Sequence, residues 1–294
     1  MAVVSIELPL PATSPSRRQR VWRYVRRHPT IVVGAPLFLL MIGMAIFAPF
    51  LGTIDPQALA PIRRLKWPSA QYWFGTDMLG RDVYSRTIYG ARVSLLVGIS
   101  VALFSTSLGL AIGVIAGFTR WVDSIVMRIM DGLMSIPEVL IAIALMALTR
   151  ASMGNVIFAI TVAQVPRVTR LVRGIVLTLR EQPYVEAAFA SGTGLPRILW
   201  RHIVPNTLPP LLVQGTFITA SAMITEAILS FIGAGTPPNI PSWGNIMAEG
   251  RSLFQVAYYI ILFPGICLSL AVLSINLIGD GLRDALDPRL ARRM

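Results

Sequence analysis

The sequence is poor in charged residues. Only 14% of its 294 residues are charged, whereas 54% are hydrophobic, and the mean hydropathy is +0.67. A soluble protein of this length carries about a quarter charged residues. The composition therefore excludes an ordinary soluble domain and predicts an integral membrane protein.

Side chains that commonly carry catalysis are scarce as well. Cys267 is the only cysteine, which excludes an intrachain disulfide and a thiolate metal cluster. With only His28 and His202, no H-E-x-x-H zinc motif and no specific Ser-His-Asp set is available. The sole lysine, Lys66, follows PIRRL and not a glycine-rich loop, so the chain has no P-loop for ATP. We expect no catalytic residue, no metal site and no cofactor bound by this chain.

Long charge-free runs recur along the chain. A helix of about 20 apolar residues crosses the hydrocarbon core of a bilayer and satisfies its own backbone hydrogen bonds. These runs predict an all-α protein with about six spans. The spans cover residues 31–51, 93–118, 130–149, 154–174, 207–232 and 257–279. The third and fourth are the weakest, because Glu138 interrupts one and arginines crowd the end of the other.

The basic residues indicate the orientation of these spans. An even number of spans places both termini on one side, and most of the 26 Lys and Arg residues lie there, so the positive-inside rule predicts cytoplasmic termini. The outer segment 52–92 is also basic, but it is long enough for charge to affect its orientation less. Although the net charge is +12, no region between spans is large enough for a nucleic-acid-binding module. Arginines before the first span imitate a signal peptide, yet the span is too long for one.

Three glycines form a stripe of small residues in the second span. Gly109, Gly113 and Gly117 are spaced four residues apart, so they share one helix face and allow another helix to approach closely. The neighbour is either a second membrane subunit or another helix of the same chain. The sequence leaves both alternatives open.

Two carboxylates stand in otherwise apolar runs. Glu138 follows Pro137 in the third span, and Glu226 lies toward the outer end of the fifth. On insertion scales a carboxylate at the bilayer centre costs about 2.5–3.5 kcal/mol. Both are candidates for a pathway lining, a gate or a proton relay, and the alternative is that each lies near a membrane interface.

Two predicted outer segments are candidates for surface contacts. The stretch GAGTPPNIPSWGN, 233–245, is rich in proline and glycine and favours a stiff, turned loop. Its residues Pro237, Pro238 and Trp243 are candidates for docking an external partner, unless the loop is only a connector. The stretch FGTDMLGRDVYSR, 74–86, predicts a turn, a capping Asp or Thr and an amphipathic helix that leads into the second span. Anchoring at the membrane interface is a sufficient role for it.

The stretch YVEAAFASGTGLPRILWRHIVP, 184–205, predicts two short helices outside the lipid. A proline suits the start of each, Gly192 ends the first helix, and Pro205 ends the second. Helices this short are unstable alone, so the pair must dock on another surface. We expect Val185 and Phe189 to form a knob seated in a cleft of another protein.

This stretch also resembles a known signature. EAAFASG, nine further residues and HIVP are similar to E-A-A-x-x-x-G-x(9)-I-x-L-P, the signature of the inner-membrane permease subunits of ABC importers. The matching positions are Glu186, Ala187, Ala188, Gly192 and Pro205. His202 and Val204 depart from the general pattern and resemble the branch that imports peptides, nickel and glutathione-like solutes. FGTDMLGRDVYSRTIYGARVSL, LVRG, LSFIGAGTPPNIPSWG and GDGLRDALDPRL resemble the same branch.

The resemblance covers about residues 74–290 and implies the ABC type I importer permease fold, with this chain similar to a dipeptide permease C-type subunit. It implies a bacterial inner membrane, a second homologous permease subunit, two ATPase subunits that bind ATP and magnesium, and an extracytoplasmic solute-binding protein. Glu186 would hold the loop against the ATPase, Ala187 and Ala188 would permit close approach, and Gly192 would make the bend. The alternative function is a proton-coupled secondary transporter that uses Glu138 or Glu226.

The spans and the resemblance together predict four regions. A basic cytoplasmic tail covers 1–30, and the first span with an extracytoplasmic segment covers 31–91. The permease core covers 92–281 and contains the coupling loop 181–206. A second cytoplasmic tail covers 282–294.

Overall fold

The computed structural model describes residues 29–286, and the predicted tails lie mostly outside that range. The described residues form an all-helical bundle, which confirms the predicted fold class. In chain order its helices are α1 (Pro29–Ile46), α2 (Val83–Phe118), α3 (Arg120–Met134), α4 (Glu138–Ala147), α5 (Met153–Arg180), α6 (Pro183–Ala190), α7 (Leu195–Ile198), α8 (Val204–Phe231), α9 (Trp243–Gly250) and α10 (Tyr259–Leu286). A π-helical turn, Leu199–Ile203, joins α7 to α8.

Within residues 29–286, four helical stretches are long and apolar enough to cross a membrane. They are Pro29–Ile46, Val83–Phe118, Leu195–Phe231 and Tyr259–Leu286. The pair α3 and α4 adds a fifth crossing if it is counted as one span, although its axis bends by 90°. The remaining predicted span, 154–174, lies within α5, which is less apolar because of its arginines.

The break between α3 and α4 interrupts the predicted span 130–149. The helix stops at Met134 and restarts at Glu138, with Pro137 in an extended conformation (φ −54°, ψ 135°). Proline has no N–H for a helical hydrogen bond and disfavours a helical conformation in the residue before it. The prediction of a continuous third span is therefore wrong. The short helix α4 follows the break and forms only the second half of the predicted span.

Helix α2 begins ten residues before the predicted second span. Asp82 caps its first turn by accepting a hydrogen bond from the Ser85 N–H at 2.8 Å, as the predicted capping residue should. The helix has 36 residues and a length of about 54 Å, so it extends past the hydrocarbon. The stretch 74–86 thus supplies the turn, the cap and the first turn of α2, as the sequence predicts.

The glycine stripe packs against α5 of the same chain. A Cβ atom added to Gly113 would lie 2.8 Å from Val172 Cβ, and the added atoms at Gly109 and Gly117 would lie 2.5 Å from side-chain atoms of valines one turn away on either side. Glycines four apart thus face valines four apart, and the two helices run parallel. This settles the open alternative in favour of packing within the chain.

Two ends of the bundle can be distinguished. Residues 47–82, with the loop 233–242, cover the end where α2 begins, which we call the cap end. The segment α6–α7 follows α5 at the opposite end, which we call the α6 end. Helix α1 returns to the cap end, where Arg92 donates hydrogen bonds to the carbonyls of Ala45 and Ile46. At the α6 end, Gly281 packs on Ile31, so the N-terminal end of α1 and the C-terminal end of α10 lie together.

Candidate functional site

The segment α6–α7 turns sharply at Gly192. Two hydrogen bonds close helix α6, from the Gly192 N–H to the Phe189 carbonyl at 2.9 Å and from the Thr193 N–H to the Ala188 carbonyl at 3.0 Å. This pairing is the Schellman motif, which needs a left-handed residue. Gly192 has φ +75°, as the sequence predicts. An added Cβ would meet no atom within 4 Å, so the backbone conformation alone selects glycine.

One face of this segment is fixed inside the chain. Val185, Ile198 and Ile203 are fully buried in the same cluster as core residues of α2, α5 and α8. The prediction that Val185 enters a cleft of another protein is therefore wrong, because the apolar side of α6 docks on its own bundle. Phe189 remains half exposed.

The opposite face carries the signature and is open. Glu186 and Ala187 are exposed, and Ala188 is half-buried against the core. Large apolar side chains lie on the same segment with much of their surface exposed, and Trp200 reaches 77%. We call this surface the α6 patch, formed by Tyr184, Glu186, Ala187, Phe189 and Trp200. Its exposed aromatic groups are typical of a protein contact.

Pro205 does not end the second helix. The Val204 N–H bonds to the carbonyl five residues back, at Leu199, and Pro205 lies in the first turn of α8, which continues to Phe231. A proline ring in a regular helix clashes with the carbonyl four residues earlier, and the wider π-turn relieves that clash. Helix α7 therefore continues through the π-turn into α8 without a loop.

Glu138 gathers polar side chains from two long helices. Its Oε1 accepts hydrogen bonds from Ser221 Oγ at 3.1 Å and from Thr225 Oγ1 at 3.2 Å, and its Oε2 accepts one from Gln164 Nε2 at 3.0 Å. The Arg167 guanidinium lies 3.9 Å from Oε2. Three neutral donors thus orient a carboxylate that stays 27% exposed. The sequence marks Glu138 as a candidate site residue, but its hydrogen-bond partners on α5 and α8 can be identified only from the structure.

Glu226 has a different setting. Its side chain is fully buried near the cap end, and Oε1 accepts from Ser230 Oγ at 2.8 Å and from Thr236 Oγ1 at 3.5 Å. Oε2 has no hydrogen-bond partner among residues 29–286. The carboxylate is enclosed by protein, so in this structure it reaches neither an open pathway nor the lipid headgroups.

The proline-rich loop after α8 is only partly available to a partner. Asn245 holds it by donating to the carbonyls of Pro237 and Ile240, both at 3.0 Å. Pro237 is half-buried and Pro238 is exposed. Trp243 is fully buried, and its Nε1–H bonds to the Thr87 carbonyl at 2.9 Å. The docking role predicted for the Trp243 side chain is therefore wrong, because the indole is part of the core.

The cap end contains an ionic cluster that sequence reasoning missed. Arg86 donates to Asp77 Oδ2 at 2.6 Å and to both carboxylate oxygens of Glu249, and Arg81 bonds the same two acids at 2.6 Å. Asp77 and Arg86 are each 1% exposed. The cluster ties the segment before α2 to α9, and no local pattern marks Glu249 as the partner.

The described residues form a bundle of membrane-spanning helices with an exposed helix pair at one end. A family model described as "binding-protein-dependent transport system inner membrane component" matches residues 109–292. A model described as the N-terminal transmembrane domain of oligopeptide transport permease C matches residues 16–68. The chain belongs to this family of ABC importer permeases, which confirms the resemblance.

Curated relatives match nearly the whole chain. It is 55% identical over 273 residues to a probable peptide ABC transporter permease of Sinorhizobium fredii, covering 93% of this chain and 94% of the relative. It is 40% identical to a dipeptide transport permease of Alkalihalophilus pseudofirmus, with 95% and 91% covered. A glutathione transport permease of Pectobacterium atrosepticum is 40% identical, with 91% and 89% covered.

A solved structure shows the fold. An inward-facing structure of the methionine ABC transporter MetNI matches with a TM-score of 0.55 at 22% identity, covering 69% of this chain and 96% of that one. The predicted ABC type I importer permease fold is thereby confirmed.

Proposed function

We propose that this chain is one of two permease subunits of an ATP-driven importer whose cargo belongs to the peptide, nickel or glutathione class. The α6 patch carries the proposal, because it presents the family signature on an exposed surface, packed on the bundle through Val185, that suits a cytoplasmic protein partner. The names of the relatives support the cargo class, since they include peptide, dipeptide and glutathione permeases.

In this proposal the α6 end faces the cytoplasm and the cap end faces outward in a bacterial inner membrane, with both termini cytoplasmic. Two ATPase subunits bind ATP and magnesium, and they contact the α6 patch. A second homologous permease completes the pathway, and a solute-binding protein delivers cargo at the cap end, where Pro237 and Pro238 are candidates for its docking. The chain itself binds no cofactor and catalyses no reaction.

The connection of α6 to the bundle explains how ATPase movement would reach the membrane. Glu186 would hold the patch against the ATPase, and the small side chains of Ala187 and Ala188 would permit close approach. Because Val185 is packed in the core and the π-turn continues into α8, the patch and α8 would move together. Ser221 and Thr225 on α8 contact Glu138, so the movement would arrive at the polar groups inside the bundle.

The experiment is uptake by the co-expressed complex in vesicles loaded with ATP. We expect uptake of a dipeptide to require ATP inside the vesicles and to survive an uncoupler. A proton-coupled secondary transporter would show the reverse, with uptake that survives ATP depletion and collapses with the proton gradient. That outcome would overturn the proposal.

A further inference from the structure

The break between α3 and α4 lies deep in the bundle. Gly109 of α2 packs on Val168 of α5, and the two helices run parallel. One turn earlier on each, Gln164 lies at the level of Ser105, in the middle of the charge-free run 93–119. Gln164 bonds Glu138, the first residue of α4. The break before Glu138 is therefore close to the bilayer centre.

At this depth the break is not covered by the other described residues, 29–286. Ser135, Ile136 and Pro137 are exposed, with Ile136 at 47%. Non-helical backbone at membrane depth is tolerated only where protein buries it or where it lines a water-filled cavity. A partly exposed carboxylate has the same requirement. This face of the subunit therefore does not contact lipid.

The charged groups of Glu138 and Arg167 on this face do not use all of their hydrogen-bonding capacity within the protein. Ser221, Thr225 and Gln164 orient the Glu138 carboxylate, while Arg167 is 57% exposed and stays 3.9 Å away. At 3.9 Å the two charged groups attract each other without a direct hydrogen bond. Each keeps hydrogen-bonding capacity for another charged group.

We propose that Glu138 and Arg167 line the solute pathway at mid-membrane and bind the ammonium and carboxylate groups of a zwitterionic solute as it crosses. This inference rests on the proposed import function and adds the chemistry by which this subunit recognises its cargo. The carboxylate attracts an ammonium group, and the exposed guanidinium provides paired donors for a carboxylate. Because both groups are partly hydrated, the site holds a solute weakly enough to release it.

The accessibility of the break tests the location. Cys267 is the only cysteine, so Cys267→Ser gives a cysteine-free chain on which single cysteines can be placed. We compare Ile136→Cys with Leu103→Cys, an exposed α2 position at similar depth, using a charged, membrane-impermeant methanethiosulfonate on the assembled complex. The expected labelling rate is at least about tenfold higher at 136, because a charged reagent does not enter hydrocarbon. Equally slow labelling, as a covering lipid or second permease would give, overturns the inference.

The charge chemistry is tested with one complex and two substrates, a dipeptide with free termini and its N-acetylated form, both at saturating concentration. Glu138→Gln should reduce uptake of the free dipeptide about tenfold, a typical loss for one charge contact. Uptake of the acetylated peptide should change less than about twofold, since its amide carries no charge to pair. Arg167→Gln should reduce uptake of a dipeptide with a free C-terminal carboxylate more than it reduces uptake of the same dipeptide with a C-terminal amide.

Asp280→Asn provides the matched control, because Asp280 is an exposed acid of α10 outside the coupling loop. It should leave both uptake rates unchanged. Equal losses of both peptides in Glu138→Gln contradict the recognition of an ammonium group. If the wild-type complex shows no ATP-dependent uptake of either peptide, of glutathione or of nickel, the proposed function fails instead, so the two failures can be distinguished.

Discussion

Two charge clusters of this permease can be compared directly. At the cap end, Arg86 and Asp77 are almost completely buried, and their atoms approach to 2.6 Å. At mid-depth, Glu138 and Arg167 stay partly exposed and 3.9 Å apart. Buried pairs with several direct hydrogen bonds hold elements together, whereas loosely paired, partly exposed charges remain available to a ligand. Burial and distance therefore separate a structural role from a transport role.

The largest expected effect is on the stability of the cap end. Arg86→Met removes the group that joins Asp77 to Glu249 and leaves a buried carboxylate with one partner fewer. Removing one member of a buried pair costs about 3–5 kcal/mol. We expect the thermal unfolding temperature of the detergent-purified complex to fall sharply and the cap to become protease-sensitive. A variant as stable as the wild type would show that the buried cluster contributes little to stability and would contradict its structural role.

A smaller loss of stability is expected where packing and not charge holds the bundle. Gly113→Val adds side-chain atoms where even a Cβ lies 2.8 Å from Val172 Cβ. Overpacking of this kind costs about 1–3 kcal/mol. The expected result is a moderate fall in unfolding temperature, and Gly132→Val, at a helical glycine with open space around it, serves as control. Equal stability of the two variants would contradict close packing of α2 on α5.

The smallest effect on stability is expected at mid-depth. Glu138→Gln keeps the shape of the side chain and an oxygen for Ser221 and Thr225, so the unfolding free energy should change by less than about 1 kcal/mol. Uptake should still fall. A loss of stability as large as that of Arg86→Met would assign Glu138 a structural role and remove the contrast between the clusters.

Local chemistry explains which features the sequence predicts. The stop at Gly192 follows from a helix end that needs a positive φ, and the stripe Gly109–Gly117 follows from helical spacing. The break before Glu138 has its signal in Pro137, but the apolar residues on both sides favoured a continuous span. The sequence wrongly predicts a helix end at Pro205, because the π-turn that accommodates this proline has no sequence pattern.

Contacts between distant segments escape such reasoning. Arg86 and Glu249 are 163 positions apart, and the sequence around each reads as an ordinary surface segment. Trp243 likewise resembles an exposed loop residue, yet the fold places α2 against it and buries the indole. The partners of Glu138 come from α5 and α8 for the same reason. Tertiary packing, and not the local sequence, determines whether these side chains are buried and which partners they contact.

Whether the α6 segment passes ATPase movement to the membrane depends above all on Gly192, which makes the turn between α6 and α7. Gly192→Val forces a β-branched residue into the left-handed region, whereas Gly192→Asn tolerates that conformation. The measurement is ATP-dependent dipeptide uptake by complexes whose assembly is verified by co-purification. We expect no uptake with valine and substantial uptake with asparagine. Normal uptake by the assembled valine variant would contradict the coupling role.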